Sequence, residues 1–222
     1  MGLIAAPGGF SGVPVSHAAP IVFVVDDDIS VREALVALIH LEGWQPEAFD
    51  SARSFLDRPP SATPCCVILD VNLPDLNGLD LQERVLRDRA GMPIIFLTGF
   101  GDVPMTVRAM KAGAAEFLTK PFDNEVMLDA IRSAIERSKE ALAQEGEVRA
   151  LRERYASLTR REREVMTLVA RGLLNKQVGG ELGISEITVK AHRGKVMEKM
   201  RAKTFADLVK MASSLGVTAA KP

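Results

Sequence analysis

Four groups of chemically active residues follow short apolar runs that lie far apart in the sequence. They are the pair Asp26 and Asp27, then Asp70, Thr98 and Lys120. Carboxylate oxygens are preferred ligands of Mg²⁺, and three carboxylates close together need such a counter-charge to stay ionised. A carboxylate such as Asp70 can also attack a phosphoryl group and form an acyl phosphate. These residue types predict metal-assisted phosphoryl transfer, with Thr98 and Lys120 contacting the phosphoryl oxygens.

The apolar runs have the composition of buried β-strands. They alternate with amphipathic helical patterns over about a hundred residues, which predicts a parallel sheet with helices on both faces. Loops at the carboxyl ends of such strands gather distant residues into one pocket. Five strands are predicted, over residues 21–25, 47–49, 65–69, 94–97 and 116–118.

Capping residues predict where helices begin and end. Ser30 and Glu33 have the spacing of a capping box for the first helix, which Gly43 ends. Asp28 is interpreted as a turn or helix-start acid and not as a metal ligand. The charged segment after the sheet has only a weak apolar stripe, and Gly146 is predicted to interrupt it, which leaves a partly helical linker.

The charge of the chain is distributed unevenly. The 222 residues, 47% of them hydrophobic, suffice for two modest domains. The formal net charge is −1, but residues 156–222 hold 13 Lys and Arg against 6 Asp and Glu, a net charge of +7. Residues 1–155 hold 15 against 23, a net charge of −8. We therefore expect the C-terminal part to meet a polyanion.

Composition also bears on location. Cys65 and Cys66 are adjacent in an apolar run, which is typical of buried thiols in a reducing compartment. No apolar stretch approaches the roughly 20 residues that span a bilayer. Residues 1–19 carry no Lys or Arg, unlike the start of a secretory signal, and their composition favours a disordered tail. We expect a soluble cytoplasmic protein with no membrane partner.

After residue 157 only helical patterns remain. Thr159 and Glu162 have capping-box spacing for the first of these helices. Further along, Gly183 is predicted to form a tight turn, and Ser185 to cap a helix rich in Lys and Arg. Two helices joined by a short turn that contains Gly, the second of them basic, are typical of a DNA-binding helix-turn-helix.

Individual residues of this helix pair carry further expectations. Ile187 is assigned to the core because it is apolar. Gly179 and Gly180 each cost about 1 kcal/mol in helix propensity, which predicts a less stable or unusually closely packed helix.

Three stretches of the N-terminal part, with their spacing, carry a specific resemblance. VVDDDISVR, VILDVNLPDLNG and FLTGFGDVPMTVRAMKAGAAEFLTKPF resemble the receiver domain of two-component response regulators, particularly of the FixJ-like branch. The resemblance covers about residues 20–140. It implies an α/β flavodoxin-like fold, in which a five-stranded parallel sheet has the order 2-1-3-4-5.

The resemblance also implies roles for individual residues. Asp70 would accept a phosphoryl group from a cognate histidine kinase, and Thr98 would contact that group together with Lys120. Phe117 matches the switch aromatic, which turns inward when Thr98 moves; the alternative is an ordinary core phenylalanine on the last strand. Mg²⁺ would be held by Asp26, Asp27, Asp70 and the main-chain carbonyl of Asn72.

The C-terminal part carries a second resemblance. LTRRERE, NKQV, LGIS and TVKAHR, over about residues 155–215, resemble the LuxR/NarL type of four-helix DNA-binding domain. This implies that the helix over about residues 185–200 enters the major groove, where basic side chains neutralise phosphates and others read base edges. The candidate DNA contacts are Lys176, Thr188, Lys190, Ala191, Arg193 and Lys195. Gly194 offers no side chain at a position where many domains that this part resembles have a polar one on the groove side, so one base contact is expected to be absent.

We therefore expect a phosphorylation-controlled transcriptional regulator. Its expected parts are a tail (1–19), a receiver domain (20–137), a helical linker (138–156) and a helix-turn-helix domain (157–216). Phosphorylation is expected to promote homodimerisation and binding to promoter DNA, with RNA polymerase as a candidate further partner. The chain is expected to be a phosphoacceptor with slow self-dephosphorylation and not an enzyme.

Two other functional classes fit the sequence less well. An aspartate-nucleophile phosphohydrolase would use the same acids and metal, but it needs a second acid two residues after the nucleophile, where this chain has Asn72. A signalling adaptor would bind protein through the C-terminal helices. The charge of +7 and the basic helix favour DNA over that alternative.

Overall fold

A computed structural model describes residues 18–99, 101 and 103–217. The chain divides into two compact units, Met1–Glu140 and Ala141–Pro222. The tail predicted for residues 1–19 lies outside the described residues, except for residues 18 and 19. No helix in the described part of the chain is long and apolar enough to cross a membrane.

A five-stranded parallel sheet forms the centre of the N-terminal unit. Its order is β2-β1-β3-β4-β5, which confirms the predicted flavodoxin-like topology. Every residue of β1, β3 and β4 is buried, because helices cover both faces of the sheet. The strands are β1 (Ile21–Val25), β2 (Gln45–Phe49), β3 (Cys65–Asp70), β4 (Ile94–Thr98) and β5 (Glu116–Thr119).

Two hydrophobic clusters form the core, one on each face of this sheet. Successive strand residues point to opposite faces, so Phe23 and Phe96 pack in one cluster and Val24 and Leu97 in the other. Buried residues of α2, α3 and α4 join the first cluster, and those of α1 and α5 join the second. The helices are α1 (Ile29–Leu41), α2 (Ala52–Asp57), α3 (Gly78–Asp88), α4 (Val103–Lys111) and α5 (Asn124–Ala156).

The N-cap of helix α1 lies two residues earlier than predicted. Asp28 is the N-cap, and its carboxylate accepts a hydrogen bond from the N–H of Ser30 at 2.8 Å. The interpretation of Asp28 as a helix-start acid is confirmed. The predicted capping box of Ser30 and Glu33 is wrong, because Ser30 already lies inside the helix. Gly43 follows the helix with φ of +79°, as predicted for its end.

Helix α5 is continuous through Gly146, so the predicted interruption is wrong. One Gly in a helix costs about 1 kcal/mol relative to Ala, which is less than the loss of the helical hydrogen bonds around it. The segment predicted to be partly helical is therefore helical up to Ala156.

The C-terminal unit is helical over most of its described residues and contains the expected helix-turn-helix. Thr159 caps the first helix after α5 with the predicted capping box to Glu162, and Ser185 caps the third helix after α5. Gly183 forms the turn with φ of +65°, a conformation that favours Gly. After α5 the helices are α6 (Arg160–Ala170), α7 (Asn175–Leu182), α8 (Glu186–Met200) and α9 (Phe205–Ser214).

Candidate functional site

The acidic residues of the sequence converge at the carboxyl edge of the sheet. Asp26 follows β1 and Asp70 ends β3, and the register of these neighbouring strands pairs Val25 with Leu69, which puts the two aspartates side by side. Carboxylate oxygens of Asp26, Asp27 and Asp70 all lie within 4.8 Å of one another. Asp26 and Asp70 are only 1% and 6% exposed, whereas Asp27 is exposed.

Lys120 lies between the two buried carboxylates. Its Nζ donates to Asp26 Oδ2 at 2.6 Å and to Asp70 Oδ2 at 2.7 Å. Burial lowers the pKa of Lys120, but its hydrogen bonds to the two carboxylates outweigh burial and leave the pKa above its ordinary value. The ammonium group is therefore charged at neutral pH.

The acidic pocket fits a divalent cation. Burial raises the pKa of Asp26 in spite of its hydrogen bond from Lys120. Three carboxylates face one ammonium group, so the pocket carries excess negative charge that a hard cation would neutralise. The donor set consists of oxygen atoms, which matches the preference of Mg²⁺.

Backbone N–H groups fix the second oxygen of each buried carboxylate. Asp26 Oδ1 accepts from Asp28 N, and Asp70 Oδ1 accepts from Asn72 N, both at 3.0 Å. Arg32 also donates to the main-chain oxygen of Asp26 at 2.7 Å. Both side chains are thereby held in one orientation before any ligand binds.

Gly78 supports the backbone of the phosphoacceptor candidate. A Cβ atom at this position would lie 2.6 Å from the carbonyl oxygen of Asp70 and 2.8 Å from Cα of Val71, so only Gly fits. Its N–H donates to the carbonyl of Val71 at 2.8 Å. Gly78 begins α3, whose cap is Asn77.

Asp75 has a structural role that the sequence did not indicate. Its carboxylate accepts hydrogen bonds from the N–H groups of Ala52 and Arg53, in the first turn of α2, at 3.1 and 2.9 Å. Burial raises the pKa of Asp75, but these N–H groups outweigh burial and hold the pKa below its ordinary value. The partners are more than twenty residues away in the chain, so local spacing gave no signal for them.

Thr98 and Phe117 lie near the same edge of the sheet. Thr98 ends β4 and is fully buried, one residue after Leu97, which pairs with Asp70. The ring of Phe117 on β5 is half-buried, with its centroid 5.9 Å from that of Phe96. The structure therefore brings Thr98 next to the strand that carries Asp70 and leaves Phe117 packed against the sheet.

Helix α8 exposes most of the predicted DNA contacts. Thr188, Lys190, Ala191 and Lys195 are exposed on α8, and Lys176 is exposed on α7. Arg193 differs from them, since its guanidinium lies 4.6 Å above the Phe205 ring and donates to Asn175 Oδ1 at 3.2 Å. Arg193 thus connects α8 to α7 and α9 within the unit.

Ile187 is 80% exposed, so its assignment to the core is wrong. The core side of α8 carries Val189, Val196 and Met200, which are fully buried. Ile187 lies on the opposite side of the helix, where its apolar character has no core to pack against.

A receiver-like sheet with an acidic pocket and a separate helix-turn-helix unit together define a response regulator with a DNA-binding output. Two family models match the chain: "Response regulator receiver domain" over residues 22–132, and "Bacterial regulatory proteins, luxR family" over residues 156–212. The chain belongs to the response regulators that combine a receiver domain with a LuxR-type DNA-binding domain.

Relatives along nearly the whole chain agree with this assignment. The chain is 48% identical over 211 residues to nodulation protein W of Bradyrhizobium diazoefficiens, covering 95% of this chain and 93% of that protein. It is 39% identical to the transcriptional regulatory protein FixJ of the same species, covering 88% and 96%. Among solved structures, the response regulator StyR matches with a TM-score of 0.77 at 45% identity, covering 88% and 99%. The predicted resemblance to FixJ-like response regulators is confirmed.

Proposed function

We propose that Asp70 accepts a phosphoryl group from a histidine kinase with the help of Mg²⁺, and that this modification promotes dimerisation and promoter binding through α8. The observation that carries the proposal is the convergence of three carboxylates within 4.8 Å, with Lys120 Nζ bonded to two of them. Membership of the response regulators supports the kinase as donor and DNA as target.

Asp70 is the nucleophile in this proposal. One of its carboxylate oxygens bonds to phosphorus while the bond from phosphorus to the histidine nitrogen of the kinase breaks, and the leaving imidazole takes up a proton. Lys120 then pairs with a phosphoryl oxygen, and the Thr98 hydroxyl bonds to another. Mg²⁺, held by Asp26, Asp27, Asp70 and the carbonyl of Asn72, would neutralise negative charge on the phosphoryl oxygens when bound.

Phosphorylation is coupled to output through the face formed by α4 and β5. Movement of Thr98 toward the phosphoryl group leaves room for Phe117 to turn inward, which changes the surface of this face. The apolar side chains of Val103, Val107 and Met110 on α4 are 77%, 43% and 42% exposed, which supports pairing with a second copy. A dimer then presents two copies of α8 to two half-sites.

The C-terminal unit binds promoter DNA through α8 in this proposal, and RNA polymerase is the further partner at the promoter. Its basic side chains make the affinity fall with salt. Binding to promoter DNA implies a cytoplasmic location. The phosphorylated form is expected to lose its phosphoryl group slowly, since position 72 carries an amide and not an acid.

Adjacent carboxylates provide a matched test of the metal site. Asp27→Asn removes a proposed Mg²⁺ ligand, whereas Asp28→Asn makes the same charge change at a helix cap that Asn also serves. Phosphorylation by acetyl phosphate, followed by mass spectrometry, is expected to need at least tenfold more Mg²⁺ for Asp27→Asn. Asp28→Asn is expected to behave as the unchanged chain. Equal Mg²⁺ dependence of all three proteins would refute the ligand assignment.

A further inference from the structure

The side of α8 that faces away from its core has an apolar centre. Val189, Val196 and Met200 mark the core side. The opposite side, at spacings of four and seven residues along the helix, carries Ile187, Ala191 and Gly194, which we call the apolar stripe. All three of its residues are exposed, and a Cβ atom at Gly194 would meet nothing within 4 Å.

Ile187 is the largest member of the apolar stripe and lies in the first turn of α8. It is 80% exposed and comes two residues after the cap Ser185. A single exposed apolar side chain is ordinary on a protein surface. Its position here matters, because the N-terminal residues of a recognition helix are those that contact base edges in the major groove.

Charged and polar residues flank the apolar stripe. The helix rotates by about 100° per residue, which puts Lys190 on one side of Ile187 and Thr188 with Lys195 on the other. These side chains suit phosphates on the two walls of a groove. Duplex DNA therefore complements this face both at its basic flanks and at its apolar centre.

Between Ile187 and Gly194 the polar side chains of α8 are already used within the unit or lie off the centre of this face; Glu198, which is exposed, continues the line of the apolar stripe only in the last turn of the helix. Arg193 is stacked on Phe205 and bonded to Asn175. Lys190 lies to one side of the centre, and its exposed pair with Glu186, at 3.1 Å, is weak enough to be exchanged for a phosphate. The centre of the face therefore offers a branched apolar side chain to the bases, and the base feature that such a side chain recognises in the major groove is the C5 methyl group of thymine.

We infer that Ile187 contacts a thymine methyl group in each half-site and makes the chain select an A·T pair at that position. The inference rests on the proposed binding of DNA by α8 and specifies one base that this helix reads. Ala191, with a single methyl group farther along the stripe, adds a smaller apolar surface beside it.

Replacing thymine with deoxyuridine tests the inference, since it removes only the C5 methyl group. Duplexes are first selected from a random library with the full chain, Mg²⁺ and beryllofluoride. Each thymine of the selected site is then replaced in turn and the affinity is measured. The loss of one buried methyl contact is expected to weaken binding by about fourfold at one position of each half-site.

Variants of Ile187 test whether its side chain makes the contact at the DNA position that is sensitive to deoxyuridine. Ile187→Ala is expected to bind thymine and deoxyuridine duplexes equally at that position, while Ile187→Val keeps a reduced preference for thymine. Leu41→Ala, which removes another highly exposed aliphatic side chain from the receiver unit, is expected to keep the full preference. Both Ile187 variants are expected to fold, because the residue is exposed and Ala favours helix.

The outcomes separate this inference from the proposed function. If the unchanged chain selects no duplex, DNA binding by α8 fails and the inference fails with it. If the chain selects a site but Ile187→Ala and Ile187→Val retain its full sensitivity to deoxyuridine, DNA binding stands and the role of Ile187 is refuted. Circular dichroism identifies an unfolded variant, in which case the other Ile187 variant decides.

Discussion

Gly179 and Gly180 are adjacent in α7, but only one of them has room for a methyl group. A Cβ atom at Gly179 would lie 2.7 Å from the carbonyl oxygen of Ile184, whereas at Gly180 it would meet no atom within 4 Å. Ile184 N also donates to the carbonyl of Gly179 at 3.0 Å, so α7 lies close to the turn before α8. The expectation of unusually close packing is confirmed for Gly179.

The two Ala substitutions should therefore differ in sign. Gly180→Ala is expected to stabilise the C-terminal unit by about 0.5–1 kcal/mol, since Ala favours helix over Gly. Gly179→Ala gains a similar amount, but it also forces a methyl group against a backbone carbonyl, and such overpacking costs about 1–3 kcal/mol. Both variants gain the same free energy from helix propensity, so the gain drops out when they are compared. Gly179→Ala should therefore be less stable than Gly180→Ala by the cost of overpacking, about 1–3 kcal/mol.

Amide hydrogen exchange followed by mass spectrometry can measure this difference in the full-length chain. Peptides from α7 and α8 should exchange about five- to 150-fold faster in Gly179→Ala than in Gly180→Ala, the factor that corresponds to the expected difference in opening free energy. Peptides around Trp44, in the other unit, serve as the internal reference. Equal exchange of α7 and α8 in the two variants would refute the close approach of Gly179 to Ile184.

Two further predictions concern buried groups. Burial raises the pKa of Glu162, but the hydrogen bonds from Lys199 and a capping N–H outweigh burial and hold the pKa below its ordinary value. The stability of the C-terminal unit should therefore fall as the pH drops through this lowered pKa. Glu162→Gln should cost about 1–2 kcal/mol at neutral pH in urea denaturation and flatten this acid dependence, whereas an unchanged dependence would contradict the pairing. Gly78→Ala should slow phosphorylation of Asp70 by acetyl phosphate at least tenfold, because the added methyl displaces the Asp70 backbone, while Gly146→Ala, with open space around it, should match the unchanged chain. Equal rates in both variants would refute the role of Gly78.

The parallel sheet could be predicted because most of its strands are dense in apolar residues. Those runs fix the strand ends, and the strand ends place Asp26, Asp70 and Thr98 at one edge. The start of β2 was predicted two residues late, because Gln45 and Pro46 lack the composition of a buried strand. Among the described strands β2 pairs only with β1, and an edge strand tolerates Pro and exposed polar residues.

Contacts between residues distant in sequence could not be predicted in the same way. Apolar character alone does not show on which side of a helix a residue lies. Ile187 was therefore assigned to the core, although the core lies on the opposite side of α8. The partners of Arg193 are Asn175 and Phe205, on two other helices. The close approach of Gly78 to Asp70 likewise depends on how the chain folds back after β3.

The central claim is that phosphorylation of Asp70 controls where the protein binds on DNA. The most direct measurement is genome-wide mapping of bound promoters in cells that carry either the unchanged chain or Asp70→Asn. Asn has nearly the same shape but cannot form the acyl phosphate. We predict that promoter occupancy and transcriptional output fall in the Asn variant at equal protein levels. Identical occupancy and output in both strains would contradict control by Asp70.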